Sequence, residues 1–146
     1  MIKDHVAEAK ELFKSGFNCS QAVLAVFSEE LGLSREMALK IALPFGGGIG
    51  GSGKICGALS GAIMVIGLKY ETSKVTDVEN KNLCKEKTRK LIESFENEHG
   101  TINCNNLVGF DMNALSGVDL KAKAQYFQNT CPKFLETVVS FLEEEL

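Results

Sequence analysis

Apolar residues recur at three- and four-residue spacing through most of the chain. No window alternates apolar and polar positions long enough to suggest a strand. Ile2, Val6, Ala9, Leu12 and Phe13 mark a first helix, stopped by Gly16. Asn18 caps a second that carries Ala22, Val23, Val26, Phe27 and Leu31, with Gly32 as its stop. Ser34 caps a short third helix, Arg35 to Leu43, ended by Pro44. A glycine-rich loop, Gly46 to Gly53, leads into an apolar helix from about Ile55 to Tyr70. Asp77 caps a long amphipathic helix with Leu83, Leu91, Ile92 and Phe95 among its apolar positions, ending near His99-Gly100. Asn103 begins a short helix to about Val108, and Ser116 begins another carrying Leu120, Ala124 and Phe127. The last starts at Thr130-Cys131-Pro132 and carries Leu135, Val138, Val139 and Leu142; proline suits its first turn. The pattern predicts an all-α single domain over residues 1–146, a bundle of about seven or eight helices around an apolar, glycine-containing helix.

That helix holds Gly57 and Gly61 four residues apart. Each costs about 1 kcal/mol of helix propensity against alanine, so another helix or a ligand should approach the bare face they leave. The longest apolar stretch, Ile55 to Leu68, is too short to cross a bilayer. The N-terminus mixes charges from its first residues and lacks the apolar run of a signal peptide. Both features point to the cytoplasm, where thiols stay reduced. With 16 basic and 19 acidic residues the formal charge is −3, which argues against a nucleic-acid partner.

The glycine loop contains two motif matches. Gly48-Ile49-Gly50-Gly51-Ser52-Gly53 fits G-x-G-x-x-G, and Gly48 through Lys54 fits most of a phosphate-binding loop. Both motifs need a buried strand before them, and Lys40 to Phe45 reads as a helix end. Ile55 also stands where a magnesium-binding Ser or Thr belongs. Free backbone N–H groups in the loop, with the helix start after it, would instead favour negative charge such as a thiolate or an anionic cluster.

Five cysteines remain to be placed. They form no C-x-x-C pair, so neither a thioredoxin-type centre nor a zinc ribbon is indicated. Cys19, Cys56, Cys104 and Cys131 each fall at a predicted helix start, where exposed amides and the helix dipole lower a thiol pKa. Cys84 lies mid-helix among Lys81, Lys85 and Lys87 and reads as a core or boundary residue. His5, His99 and the Glu143-Glu144-Glu145 run read as solvated or capping groups. Lys54 stands near Cys56 and either offsets its charge or is a plain surface lysine.

The segment Phe45-Gly46-Gly47-Gly48, continued by Gly53-Lys54-Ile55-Cys56-Gly57-Ala58-Leu59-Ser60-Gly61-Ala62, resembles the core of the C_GCAxxG_C_C family, small proteins described as redox-active. Asn18-Cys19-Ser20-Gln21-Ala22, the stretch Gly100 to Leu107 around Cys104, and Cys131 extend the resemblance over nearly the whole chain. It implies four functional cysteines, Cys19, Cys56, Cys104 and Cys131, and leaves Cys84 without a counterpart. The family is also similar to the cluster-bearing part of split-Soret cytochrome c, which implies an iron–sulfur centre. No Cys-x-x-Cys-His is present for c-type haem attachment.

Two redox readings stand beside a third, a helical binding module with incidental thiols. In the first, the four cysteines are the candidate redox-active and metal-ligating residues of an electron-transfer protein. They would hold an iron–sulfur cluster or, structurally, zinc, with Gly53, Gly57 and Gly61 as the cofactor-facing positions. In the second, the same cysteines form a metal-free thiol–disulfide oxidoreductase or redox sensor. Either reading calls for a redox partner, no nucleic acid and no membrane, and is compatible with a homodimer.

Overall fold

Residues 3–146 are described by a computed structural model, so Ile2 lies outside the described residues. Nine α-helical segments follow one another, with no strands among the described residues. They are α1 (His5–Lys14), α2 (Cys19–Ser28), α3 (Arg35–Ala42), α4 (Gly57–Lys69), α5 (Val78–His99), α6 (Cys104–Val108), α7 (Gly117–Ala122), α8 (Ala124–Thr130) and α9 (Pro132–Glu145). The all-α single domain is as the pattern predicts. Its α7 and α8 are the one helix expected from Ser116, broken at Lys123, whose backbone turns to φ −95°, ψ 7°. The spacing of Leu120, Ala124 and Phe127 is helical on either side of that break, so periodicity alone does not reveal it.

The caps account for most boundaries. Asp4, Asn18, Ser34, Asp77 and Ser116 each accept a hydrogen bond from an amide in the first turn of the helix that follows. These bonds satisfy donors that a helix N-terminus otherwise leaves orphaned. Two boundaries differ from expectation. The third helix ends at Ala42, and Leu43-Pro44-Phe45 winds into a 3₁₀ turn. The apolar helix begins at Gly57 rather than near Ile55, because Ile55 pairs antiparallel with Asn103.

The core is built on α2 and α4. Every residue from Ser20 to Ser28 is buried, and α4 contributes Ala58, Leu59, Ala62, Val65 and Ile66. Leu135, Val138, Val139 and Leu142 of α9, with Leu91 and Phe95 of α5, close the core. No helix among the described residues is long and apolar enough to cross a membrane.

The bare face of α4 meets α2. A Cβ on Gly61 would stand 2.7 Å from the Ser20 carbonyl oxygen and 3.1 Å from Val23 Cβ. Overpacking of this kind costs about 1–3 kcal/mol. Gly67, on the same helix, has open space around it. Gly61→Ala should therefore lower the melting temperature by several degrees, while Gly67→Ala raises it through helix propensity, worth about 1 kcal/mol. Thermal unfolding of the two variants checks this; a Gly61→Ala protein as stable as Gly67→Ala would contradict the close approach.

Candidate functional site: a cavity lined by four cysteines

The start of α2 is held by a polar network built from Asn18, Ser20 and Gln21. Asn18 and Gln21 form a reciprocal capping box across the first turn. Asn18 Nδ2 donates to the Leu43 carbonyl at 3.0 Å, and the Ser20 hydroxyl lies 2.7 Å from the Ala42 carbonyl. Gln21 Nε2 donates to the Leu39 carbonyl at 2.9 Å. The Leu39 and Ala42 carbonyls belong to the end of α3, where a helix lacks internal donors, and Leu43 opens the 3₁₀ turn that follows. The network thus docks α3 onto α2 beside Cys19 and aims the glycine loop across the α2 start.

Five successive residues of that loop, Gly47 to Gly51, have φ between 61° and 77°. Four are glycines, which reach this left-handed region without penalty. The fifth, Ile49, is there at a cost of about 1–2 kcal/mol. The loop amides are not free, contrary to expectation. Those of Ile49, Gly50, Gly51, Gly53 and Lys54 donate to the carbonyls of Phe45, Pro44, Gly46, Gly47 and Gly48. A coil that satisfies its own donors has little left with which to cradle an anion. The Gly47 amide is an exception, since it faces the Cys19 sulfur.

The loop exit forms a short antiparallel pairing with the α6 start. Cys56 N donates to the Ile102 carbonyl at 2.8 Å, and Cys104 N donates to the Lys54 carbonyl at 2.6 Å. This brings Cys56, at the start of α4, alongside Cys104, at the start of α6. Gly48 packs on the same junction: a Cβ there would lie 2.8 Å from Cys104 Cβ. Asn105 locks the junction, accepting from Met112 N at 2.8 Å and donating to Asp111 at 3.2 Å. Its side chain fills the space beside Gly53, which leaves no room for a Cβ at that position. Cys131 sits at the junction of α8 and α9, with helical backbone and with Pro132 as the first residue of α9.

All four cysteines line one cavity of about 400 Å³. Phe13, Phe17, Leu107, Val108, Met112, Phe127 and Phe134 supply most of its remaining wall. Of the three candidate glycines, only Gly57 lines it, against the Cys19 sulfur. Gly53 packs on Asn105 and Gly61 on α2. Cys84 packs at the edge of the main core and does not line the cavity, and neither do His5 and His99. His5 pairs with Glu30 and Glu143, and His99 with Thr137. Lys54 is exposed and outside the lining. All five cysteines are free thiols. Among the described residues, no three His, Cys, Asp or Glu side chains gather closely enough for a single metal ion.

No charged side chain lines the cavity. Its thiols are accordingly harder to ionise than usual, which corrects the expectation of lowered pKa values. Burial pushes Cys19 up, against the pull of the Gly47, Ser20 and Ala58 amides. Burial and then the charge of Cys19 push Cys56 well up, although the Ala58 and Leu59 amides of α4 face its sulfur. Burial, then Cys19, raise Cys104 to about 11, and burial, then Cys19 and Cys104, raise Cys131 to about 12. The helix-start amides are in place at Cys19 and Cys56, but desolvation outweighs them.

Asn105 and Gly47 lie in stretches that carry the resemblance but have no role of their own in it, and the apolar wall from α6 to α8 reads in the sequence only as helix periodicity. An Asn in a turn or a Phe on a helix carries no signal of its own until the fold supplies its neighbours.

A family model described as "Putative redox-active protein (C_GCAxxG_C_C)" matches residues 17–145. No curated protein and no solved structure gives a significant match.

The raised thiols set a pH dependence for the metal-free protein. Above about pH 9 the unfolded chain loses thiol protons that the folded chain keeps up to about pH 11 at Cys104 and about pH 12 at Cys131. The unfolded state then binds fewer protons, so stability falls as pH rises through this window. The slope is at most about 1.4 kcal/mol per pH unit for each thiol. Denaturant unfolding of reduced, metal-free protein at pH 8 and pH 10 should show the loss. It should be smaller in a Cys104→Ala, Cys131→Ala double variant; equal losses would show that these thiols are not buried as described.

Proposed function

Because the chain belongs to the C_GCAxxG_C_C family, whose description is of redox-active proteins, we propose that Cys19, Cys56, Cys104 and Cys131 hold an iron–sulfur cluster and that the protein carries electrons. The observation that supports this reading is the convergence of four thiols, from four separate elements, on a cavity with no charged side chain. Four thiolates is the ligand set of the common clusters. Four thiolates in a cavity lined by no charged side chain, with only Lys133 acting on Cys131 from outside the lining, need most of their positive charge from what they bind. Zinc requires its thiolates to close around one ion at about 2.3 Å. The wider arrangement of thiols around this cavity suits a polynuclear group better.

When bound, such a group supplies one-electron transfer. The chain's own residues would do the rest. The amides of Gly47, Ala58 and Leu59 face the sulfurs of Cys19 and Cys56 and would donate to them once ionised. Hydrogen bonds to ligating sulfur and burial are two levers by which a protein sets the potential of such a centre. The phenylalanines and Met112 supply apolar wall around the ligands, of which Cys56 and Cys104 are buried and Cys19 and Cys131 half-buried. Metal-free thiol–disulfide exchange needs an attacking thiolate instead. With its pKa at about 11, Cys104 is ionised to roughly one part in 10⁴ at pH 7.

Protein purified without oxygen should be brown and contain stoichiometric iron and sulfide. Serine in place of Cys19, Cys56, Cys104 or Cys131 should cut the iron content by at least half, whereas Cys84→Ser should retain it. Colourless, metal-free protein under those conditions would sink the proposal.

A further inference from the structure

The four cysteines account for only part of the cavity wall. Phe13 and Phe17, where α1 ends and turns into α2, and Phe127 and Phe134, from α8 and α9, contribute four aromatic rings. Phe17 and Leu120 line the cavity and are also 36% and 38% exposed, so apolar wall runs out to solvent at its mouth. Ligand sites are typically apolar clefts of roughly 300–1,000 Å³ with a few polar groups that set orientation. An apolar cavity of about 150 Å³ is already enough to take benzene. At about 400 Å³ the present one has the volume of a small-molecule site.

Two uncharged polar side chains reach it. Asn18 is committed on both ends, its oxygen to the Gln21 amide and the Ser20 hydroxyl and its nitrogen to Leu43. Gln128 donates Nε2 to the Phe13 carbonyl at 3.0 Å and has no protein partner for Oε1 among the described residues. One acceptor is therefore open beside apolar wall. No lysine, arginine or carboxylate lines the cavity to pair with a charged guest, and desolvating an unpaired charge there would be costly.

We propose that this cavity binds a neutral, ring-sized apolar molecule bearing one hydrogen-bond donor, seated on the phenylalanine wall beside the cysteines with its donor on Gln128 Oε1. The proposal rests on the functional reading only in treating the thiols as the redox end of the same cavity; it does not depend on what they hold. Aromatic walls select flat rings through offset-stacked and edge-on contacts. The missing countercharge selects against ions.

The test uses N-phenyl-1-naphthylamine, a neutral fluorescent probe with a single N–H donor, and its anionic sulfonated counterpart 8-anilinonaphthalene-1-sulfonate. Both are titrated into the full-length protein, with iron content measured on the same samples. The neutral probe should bind saturably, one per chain, and at least tenfold more tightly than the anionic one. Leu120→Glu, which places a charge at the exposed mouth, should weaken binding of the neutral probe tenfold or more. Phe17→Ser, at an equally exposed position, should weaken it in the same direction. Circular dichroism checks that both variants are folded. Non-saturable binding, equal affinity for the two probes, or folded variants that bind as the parent does would overturn the proposal. So would stoichiometric loss of the probe as iron is loaded, which would assign the volume to the cluster and leave the cofactor reading intact. Saturable, neutral-selective binding by protein that never takes up iron would support this site while the cofactor reading fails.

Discussion

Helices α2 and α4 meet where Gly57 and Gly61 remove two side chains, so closely that a methyl group at position 61 would press on the Ser20 carbonyl. The rest of the molecule follows from that approach. It sets the starts of the two helices side by side, with the Cys19 sulfur against Gly57 and Cys56 one residue before it. The glycine coil then joins the end of α3 to the start of α4 by crossing Asn18 at the α2 start and packing on Cys104 and Asn105 of α6. Its left-handed run from Gly47 to Gly51 folds it tightly onto its own carbonyls. A coil of ordinary residues would pay the Ile49 penalty at every step.

Desolvation sets the character of the cavity more than helix-end electrostatics do. The amides at the α2 and α4 starts point at sulfur, as a local reading of helix termini requires. Surrounding the thiols with phenylalanine, leucine and methionine nevertheless makes the neutral form the stable one in the absence of a cation. The same surroundings would strengthen the hold on a positively charged guest once the thiols ionise around it, because low-dielectric walls screen the attraction poorly.

Features written in a few consecutive residues were legible before the structure. Asn18, Ser34, Asp77 and Ser116 cap where their positions suggest, and Gly32 and Gly100 end helices in left-handed conformation. The difference between Cys84 and the other four cysteines was also legible, because position relative to a helix start is local. The pairing of the Ile55 and Asn103 segments was not: it joins two short stretches far apart in the chain and has no periodicity to announce it. Nor was the direction of the thiol shifts. The sequence displays the helix-start amides, whereas burial is produced by residues as distant as Phe13 and Phe134. Gly61 was legible as a place of close approach, but whether a helix or a ligand would fill it was settled only by the position of Ser20.

The α7–α8 segment lends Leu120, Ala124 and Phe127 to the cavity, yet none of its own residues is fully buried. Its chief polar tie to α1 is the bond from Gln128 to the Phe13 carbonyl. A segment with so little sealed against the core opens at far lower free energy than the α2–α4 pair, and on its own schedule. Fraying of this arm would widen the mouth that Phe17 and Leu120 already leave open. A small molecule seated against Leu120 and Phe127 would then exchange with the opening of fourteen residues, Gly117 to Thr130, rather than with unfolding of the core.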